Sequence, residues 1–246
     1  MKKLILHIPH SSTIIPLKDG FVNNPTKIEQ EIIKLTDWYT DDLFDSEIDS
    51  KIIAPFSRLF CDVERFADDE LEIMSKVGMG VLYEKLDSDE LLRKVTSHLR
   101  EKILNEYYWK HHDFFTSSVK QQLKLNGECL IIDCHSFPST PLLKAIDQNK
   151  NRPDFNIGTD SFHSPKKYIE ASSSYFENLG YSLGIDWPYS GSIVPIKYYK
   201  KEKRVSSIML EINRKLYLNE PTNEKSIDYN TTKEVVQGFL NMLRII

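Results

Sequence analysis

The stretch Glu128-Cys129-Leu130-Ile131-Ile132-Asp133-Cys134-His135-Ser136 decides the reading of the fold. Cys129 to Ile132 run without a polar residue, which a strand covered on both faces requires and which is typical of a parallel sheet between helices. The same strand carries Asp133 and His135 towards its carboxyl end. In open α/β sheets that is the edge at which ligands bind.

Other strands and helices surround this one in alternation. Residues 3–8, 51–55, 59–63, 181–185, 193–196 and 205–210 are short apolar runs and are predicted as strands. Thr26 and Glu29 read as a capping box ahead of Ile28, Ile32, Leu35, Tyr39 and Leu43, which recur at helical spacing and predict one amphipathic helix over 27–44. Ser88 opens a second helical pattern through Leu92, Val95, Leu99 and Ile103. It is expected to break near 108–113, to resume with Phe115, Val119 and Leu123, and to stop at Gly127. Ser164 and Pro165 read as N-cap and first turn of a helix ending at Gly180, and Thr231 with Glu234 opens a last one. Helices between apolar strands predict a three-layer α/β/α fold around a mixed, mostly parallel sheet. There is no internal repeat and no shift of composition along the chain, so residues 1–246 are read as a single domain.

Composition narrows the function. The chain has 246 residues, with 32 Lys and Arg against 36 Asp and Glu for a net charge of −4. Nucleic-acid binders are usually strongly basic, so a nucleic-acid partner is not expected and a small-molecule substrate is. The basic run at 197–204 is read as a solvated loop. Apolar residues at 4–6 are cut short by His7, Pro9 and His10, too early for a signal-peptide core, and no run approaches the roughly 18 apolar residues of a membrane span. Three cysteines, Cys61, Cys129 and Cys134, without a C-x-x-C pair, fit a reducing compartment, so a cytoplasmic protein is expected.

Three polar clusters follow three strands: His7-Ile8-Pro9-His10, Asp133-Cys134-His135-Ser136 and Glu211-Ile212-Asn213-Arg214. Two or three imidazoles and a carboxylate that converge at one sheet edge have the composition of a catalytic zinc site, with an open position for water and a base beside it. His10 and His135 are the main ligand candidates and His7 the third. Asp133 either orients an imidazole or caps the strand end. Glu211 follows Ile208-Met209-Leu210, where a carboxylate must be paired or functional. It is read as the general base, with a salt bridge to Arg214 or Arg204 as the plain alternative. The segment 57–66 offers guanidinium groups suited to forking onto a substrate carboxylate. The loops at 156–159 and 188–192 contain the small residues of close backbone approach. His98, His111, His112 and His163 are read as surface or structural.

Taken together and in order, Pro9-His10-Ser11, Asp62-x-Glu64-Arg65, Asp133-x-His135-Ser136, Ile157-Gly158-Thr159, Pro188-Tyr189-x-Gly191 and Glu211-x-Asn213-Arg214 resemble the N-formylglutamate amidohydrolase family. The resemblance implies a relative of the zinc carboxypeptidases with their phosphorylase/hydrolase-like fold. It also implies a zinc-dependent hydrolase that cleaves the formyl amide of N-formyl-L-glutamate to formate and glutamate. By the same resemblance, His10 and His135 hold Zn2+ with His7, Glu211 is the catalytic glutamate and Arg65 grips the substrate carboxylate. Arg58, Arg214, Ser136, Gly158 and Tyr189 complete the expected substrate site. The family commonly carries Asn at the position of Glu64 and often Asp at that of His7, so Asp62 and Glu64 are alternative third ligands. Other substrates consistent with the same chemistry are another N-acylated amino acid or a small peptide, and a non-catalytic ligand-binding relative is the alternative from outside enzymes.

Overall fold

A computed structural model describes residues 2–246; Met1, the first residue of the expected 1–246 domain, lies outside the described residues. Six strands form one sheet in the order β2-β1-β3-β6-β4-β5. They are β1 (Ile5–Ile8), β2 (Ser50–Ile53), β3 (Cys129–Phe137), β4 (Phe155–Gly158), β5 (Leu183–Ile185) and β6 (Val205–Asn213). β1, β2, β3 and β6 run parallel, β4 is antiparallel to β6, and β5 is parallel to β4. The sheet is therefore mixed and mostly parallel, as the apolar runs predict.

Period-two alternation divides the strands between two cores. Leu4, Leu6, Ile8, Leu130, Ile132, Cys134, Ile208, Leu210 and Ile212 pack with Phe176 and Phe239, the apolar faces of α5 (Lys166–Asn178) and α6 (Tyr229–Leu243). Ile5, Ile131 and Val205 face the other way, onto Phe115 and Val119 of α4 (Trp109–Asn126). Asp133 and His135 continue the Ile131 row, and His7 continues the Ile5 row. The polar groups thus share the α4 side of the sheet. Among the described residues, no helix is long and apolar enough to cross a membrane.

Several elements differ from their sequence reading. The helix expected over 27–44 is two helices, α1 (Pro25–Leu35) and α2 (Thr40–Leu43). Asn24, not Thr26, caps the first: its side chain accepts from Lys27 N, with Pro25 in the first turn. The helix ends where the Thr36 hydroxyl bonds back to Ile32 O, and Tyr39 adopts a left-handed φ of 60°. The second pattern starts late, at α3 (Ser97–Ile103), where the Thr96 hydroxyl accepts from Leu99 N. The break expected at 108–113 is a π-helical turn, Leu104–Tyr108, which widens the helix without interrupting it, and α4 then stops at Gly127 with φ 76°. Residues 59–63 and 193–196 form turns and loops rather than strands, while β4, read as a loop, is a strand. The last helix begins at Tyr229 behind Asp228, ahead of the Thr231 and Glu234 pair.

Candidate metal centre and active site

The carboxyl ends of β1, β3 and β6 open into a cavity of about 370 Å3 whose lining includes His10, Asp37, Glu64, His135 and Glu211. His10 follows β1 and is 1% exposed; its Nε2–H donates to Asp62 Oδ1 at 2.8 Å. That bond leaves Nδ1 as the lone-pair nitrogen, buried and without a hydrogen-bond partner, 3.6 Å from Asp37 Oδ2. His135 Nδ1 lies 3.1 Å from the same Asp37 oxygen. The ligating atoms of His10, Asp37 and His135 all fall within 4.8 Å of one another.

Asp37 reaches this point because the chain leaves α1 at Thr36. Its N–H donates to His10 O at 3.0 Å, and its Oδ1 accepts from Arg214 Nη2 at 3.0 Å, which turns Oδ2 towards the two imidazoles. Burial would raise the Asp37 pKa, but the neighbouring imidazoles of His10 and His135, together with the charge of Arg214, hold it well below the usual carboxylate range. Burial likewise disfavours the charged form of His135, yet the carboxylates of Glu64 and Asp133 hold its pKa well above the ordinary histidine value.

Glu211 is the register partner of His135 on the neighbouring strand. It is 7% exposed, and its Oε2 is buried with no hydrogen-bond partner. Burial pushes its pKa well above the usual carboxylate range, a shift that His135 opposes and Asp37 reinforces. An unpaired carboxyl facing a cavity is a proton donor or acceptor whose state depends on the charge placed opposite it. No salt bridge ties Glu211 to Arg214 or Arg204. Arg214 bonds Asp37, Ser136 Oγ and Lys34 O, and Arg204 pairs with Glu202.

The arrangement passes a chemical test for a cation. The donors are imidazole and carboxylate, the pattern that zinc and its neighbours take. Among the described residues, Asp37, Asp62, Glu64, Asp133 and Glu211 gather near the guanidinium groups of Arg58, Arg65 and Arg214, Lys34 and Lys144 also line the cavity, and the lone-pair nitrogen of His10 faces the Asp37 carboxylate at 3.6 Å.

The remaining expected residues fall in distinct places. His7 does not join the His10, Asp37 and His135 trio: it lies inside the sheet opposite Asp133, one row before His135, where it stacks on Phe115, lies 2.9 Å from Asp133 Oδ1 through Nδ1 and 3.0 Å from His111 Nε2 through Nε2. Asp62 has both oxygens engaged, Oδ1 by His10 and Oδ2 by Arg58 and the Tyr83 hydroxyl, so it orients His10 and is not free to ligate. Glu64 clusters with His7 and Asp133, their ligating atoms within 4.8 Å of one another, and its Oε2 lies 3.0 Å from His135 Nε2. Arg58 and Arg65 line the cavity, and Arg65 Nε is buried without a hydrogen-bond acceptor. Ser136 and Tyr189 line it as well. Arg214 is 4% exposed and is fastened to Asp37, so its direct role is to hold that carboxylate. Gly158 is not at the cavity. A Cβ there would meet Gly191 O at 2.2 Å, so its small size serves the packing of β4 against the 188–192 loop. His163 is structural: Nδ1–H donates to Val205 O and Nε2 accepts from Lys200 N.

A family model described as N-formylglutamate amidohydrolase matches residues 2–218. The chain belongs to the N-formylglutamate amidohydrolase family. Among solved structures, N-formylglutamate amidohydrolase from Ralstonia eutropha JMP134 superposes with a TM-score of 0.84 at 22% identity, over 100% of this chain and 94% of that one. A gene product from Agrobacterium tumefaciens superposes at 0.67 with 15% identity, covering 98% of this chain and 91% of its own. At such identities the likeness speaks for the fold. A search of curated proteins returns no match. As a member of the N-formylglutamate amidohydrolase family, the protein reads as a hydrolase of amide bonds with a small-molecule substrate.

Three residues of this cluster escape the sequence reading. Asp37 was hidden inside an apparently continuous helix, although Thr36-Asp37 marks a helix end once the Asn24-Pro25 start is recognised. Tyr83, whose hydroxyl donates to Asp62, carries no local signal. His111 supports His7 from α4, and only the fold brings the two together.

Proposed function

We propose that the protein is a divalent-metal amidohydrolase that cleaves the formyl amide of N-formyl-L-glutamate, or of a close N-acylated amino acid, to the carboxylate and the free amine. The observation that carries this reading is the unpaired, buried Glu211 carboxyl beside three converging ligands in one cavity. His10 through Nδ1, Asp37 and His135 would hold the ion, for which zinc is the natural choice. A bound divalent cation supplies Lewis acidity there, which eases ionisation of water and polarises a carbonyl.

Glu211 receives the proton of the attacking water as the new C–O bond forms. It then hands that proton to the amide nitrogen as the C–N bond breaks, so the amine leaves neutral. Asp62 holds His10 in the tautomer that leaves Nδ1 free, and Arg214 holds Asp37. Arg65 lines the cavity, with Nε 3.5 Å from Asp62 Oδ2 and Nη1 3.6 Å from Glu72 Oε1, and grips the substrate carboxylate, while Arg58 and Tyr83 support the same wall. These contacts fix the pose of the scissile amide before reaction.

Glu64 also lines the cavity, and its carboxylate argues for including substrates whose side chain is not acidic. The test is a panel of N-formyl and N-acetyl amino acids with zinc-loaded protein. Turnover of N-formylglutamate above the others fits the reading; turnover confined to a neutral member would move the substrate and keep the chemistry; no turnover of any member would remove the assignment.

A further inference from the structure

Beside the first trio lies a second group whose ligating atoms also fall within 4.8 Å of one another: the buried His7 and Asp133 and the partly exposed Glu64. His7 is fully buried, and its ring is stacked on Phe115 with centroids 4.8 Å apart. Nδ1 lies 2.9 Å from Asp133 Oδ1 and 3.5 Å from Glu64 Oε1. Behind it, Nε2 and His111 Nε2 are 3.0 Å apart. With the His7 proton on Nε2 and donated to His111, Nδ1 becomes a lone pair aimed at two carboxylates, the orientation that an outer hydrogen bond usually gives a metal-binding histidine.

Two atoms here have no hydrogen-bond explanation. His135 Nε2 is 3.0 Å from Glu64 Oε2 and 3.2 Å from Asp133 Oδ1, yet its direction makes a hydrogen bond to neither. Glu64 Oε1 is buried without a partner. His135 is only 4% exposed, so solvent does little for it, and an unpaired buried polar atom is costly. An imidazolium at His7 would satisfy Asp133 but leave these two atoms as they are. A cation among them answers both at once.

We propose that His7, Glu64 and Asp133 form a second cation site beside the first, for a divalent ion of mixed nitrogen and oxygen preference such as zinc, with Nε2 of His135 turned towards it. Imidazole and carboxylate donors select this class of ion over calcium or magnesium, which favour all-oxygen shells. A neutral imidazole has one lone pair, so filling both sites releases the Nε2 proton of His135 to solvent. His111 and Phe115 act as positioning residues that fix the plane and tautomer of His7.

The inference relies on the metal reading of the first trio only for its stoichiometry, and one experiment separates the two. Chelator-stripped wild type, Glu64→Gln, His7→Gln and His10→Ala are titrated with Zn2+ by calorimetry, and metal content is read after buffer exchange. The expected result is two equivalents for wild type and one for each variant. Glu64→Gln conserves shape at a partly exposed side chain, so it reports even if His7→Gln fails to fold. A single equivalent in wild type that Glu64→Gln leaves intact overturns the second site, as does a pair of equivalents that neither Glu64→Gln nor His7→Gln reduces. A single equivalent lost in Glu64→Gln but kept in His10→Ala supports the second site and overturns the first. No bound zinc overturns both.

Discussion

His135 and Glu211 stand side by side on the β3–β6 ladder, so an imidazole that faces Asp37 and a carboxyl with no partner leave adjacent strands together. The parallel register fixes their spacing. If Glu211 moves the proton, Glu211→Gln keeps the shape and removes the function. The expected outcome is a fall in kcat of about 10²- to 10⁴-fold with unchanged zinc content, measured by steady-state kinetics and metal analysis.

Asp37 has a double role that its variants separate. Asp37→Asn keeps most of the packing but weakens the charge between His10 and His135, and zinc affinity is expected to fall by about tenfold or more in a competition titration with a chromogenic chelator. Asp37→Ala also strands Arg214, whose side chain is 5% exposed. Removal of one partner of a buried ion pair costs about 3–5 kcal/mol, to be read from urea unfolding of the metal-free protein.

The pH dependence of stability has a component in α4, behind His7. Burial lowers the His112 pKa to about 4, reinforced by the charge of His7, while Nε2–H donates to Val63 O at 2.9 Å. The unfolded chain therefore binds a proton near pH 6.5 that the folded chain refuses until about pH 4. Stability is lost as pH falls through that window, by up to about 3 kcal/mol. His111, lowered to about 2 by burial, acts in the same direction. Urea midpoints for His112→Gln between pH 7 and 4.5 are expected to fall less steeply than those of wild type.

The catalytic edge was legible wherever chemistry coincides with a strand end. His10, His135 and Glu211 each follow an apolar run, and the sheet brings together residues 201 positions apart. Asp37 was illegible for a physical reason: Ile28, Ile32, Leu35, Tyr39 and Leu43 keep helical spacing across a true break, because Tyr39 and Leu43 pack on the sheet core through a separate short helix. His7 shows the reverse error. Proximity to His10 in sequence suggests a shared ion, but His7 lies inside the strand opposite Asp133, one row before His135, with its ring packed on Phe115 of α4. β4 was missed because Asn156 and Gly158 look like a turn. Asn156 is satisfied only by long-range partners, donating to Tyr189 O and accepting from Trp187 N.

Formate release from N-formyl-L-glutamate, followed before chelation, after chelation and after zinc is restored, tests the central claim most directly. The metal-hydrolase account predicts formate and glutamate in equal amounts, loss of the activity as the metal leaves, and its return with zinc. Formate release that continues undiminished in metal-stripped protein would contradict it, as would its absence from the zinc-loaded protein.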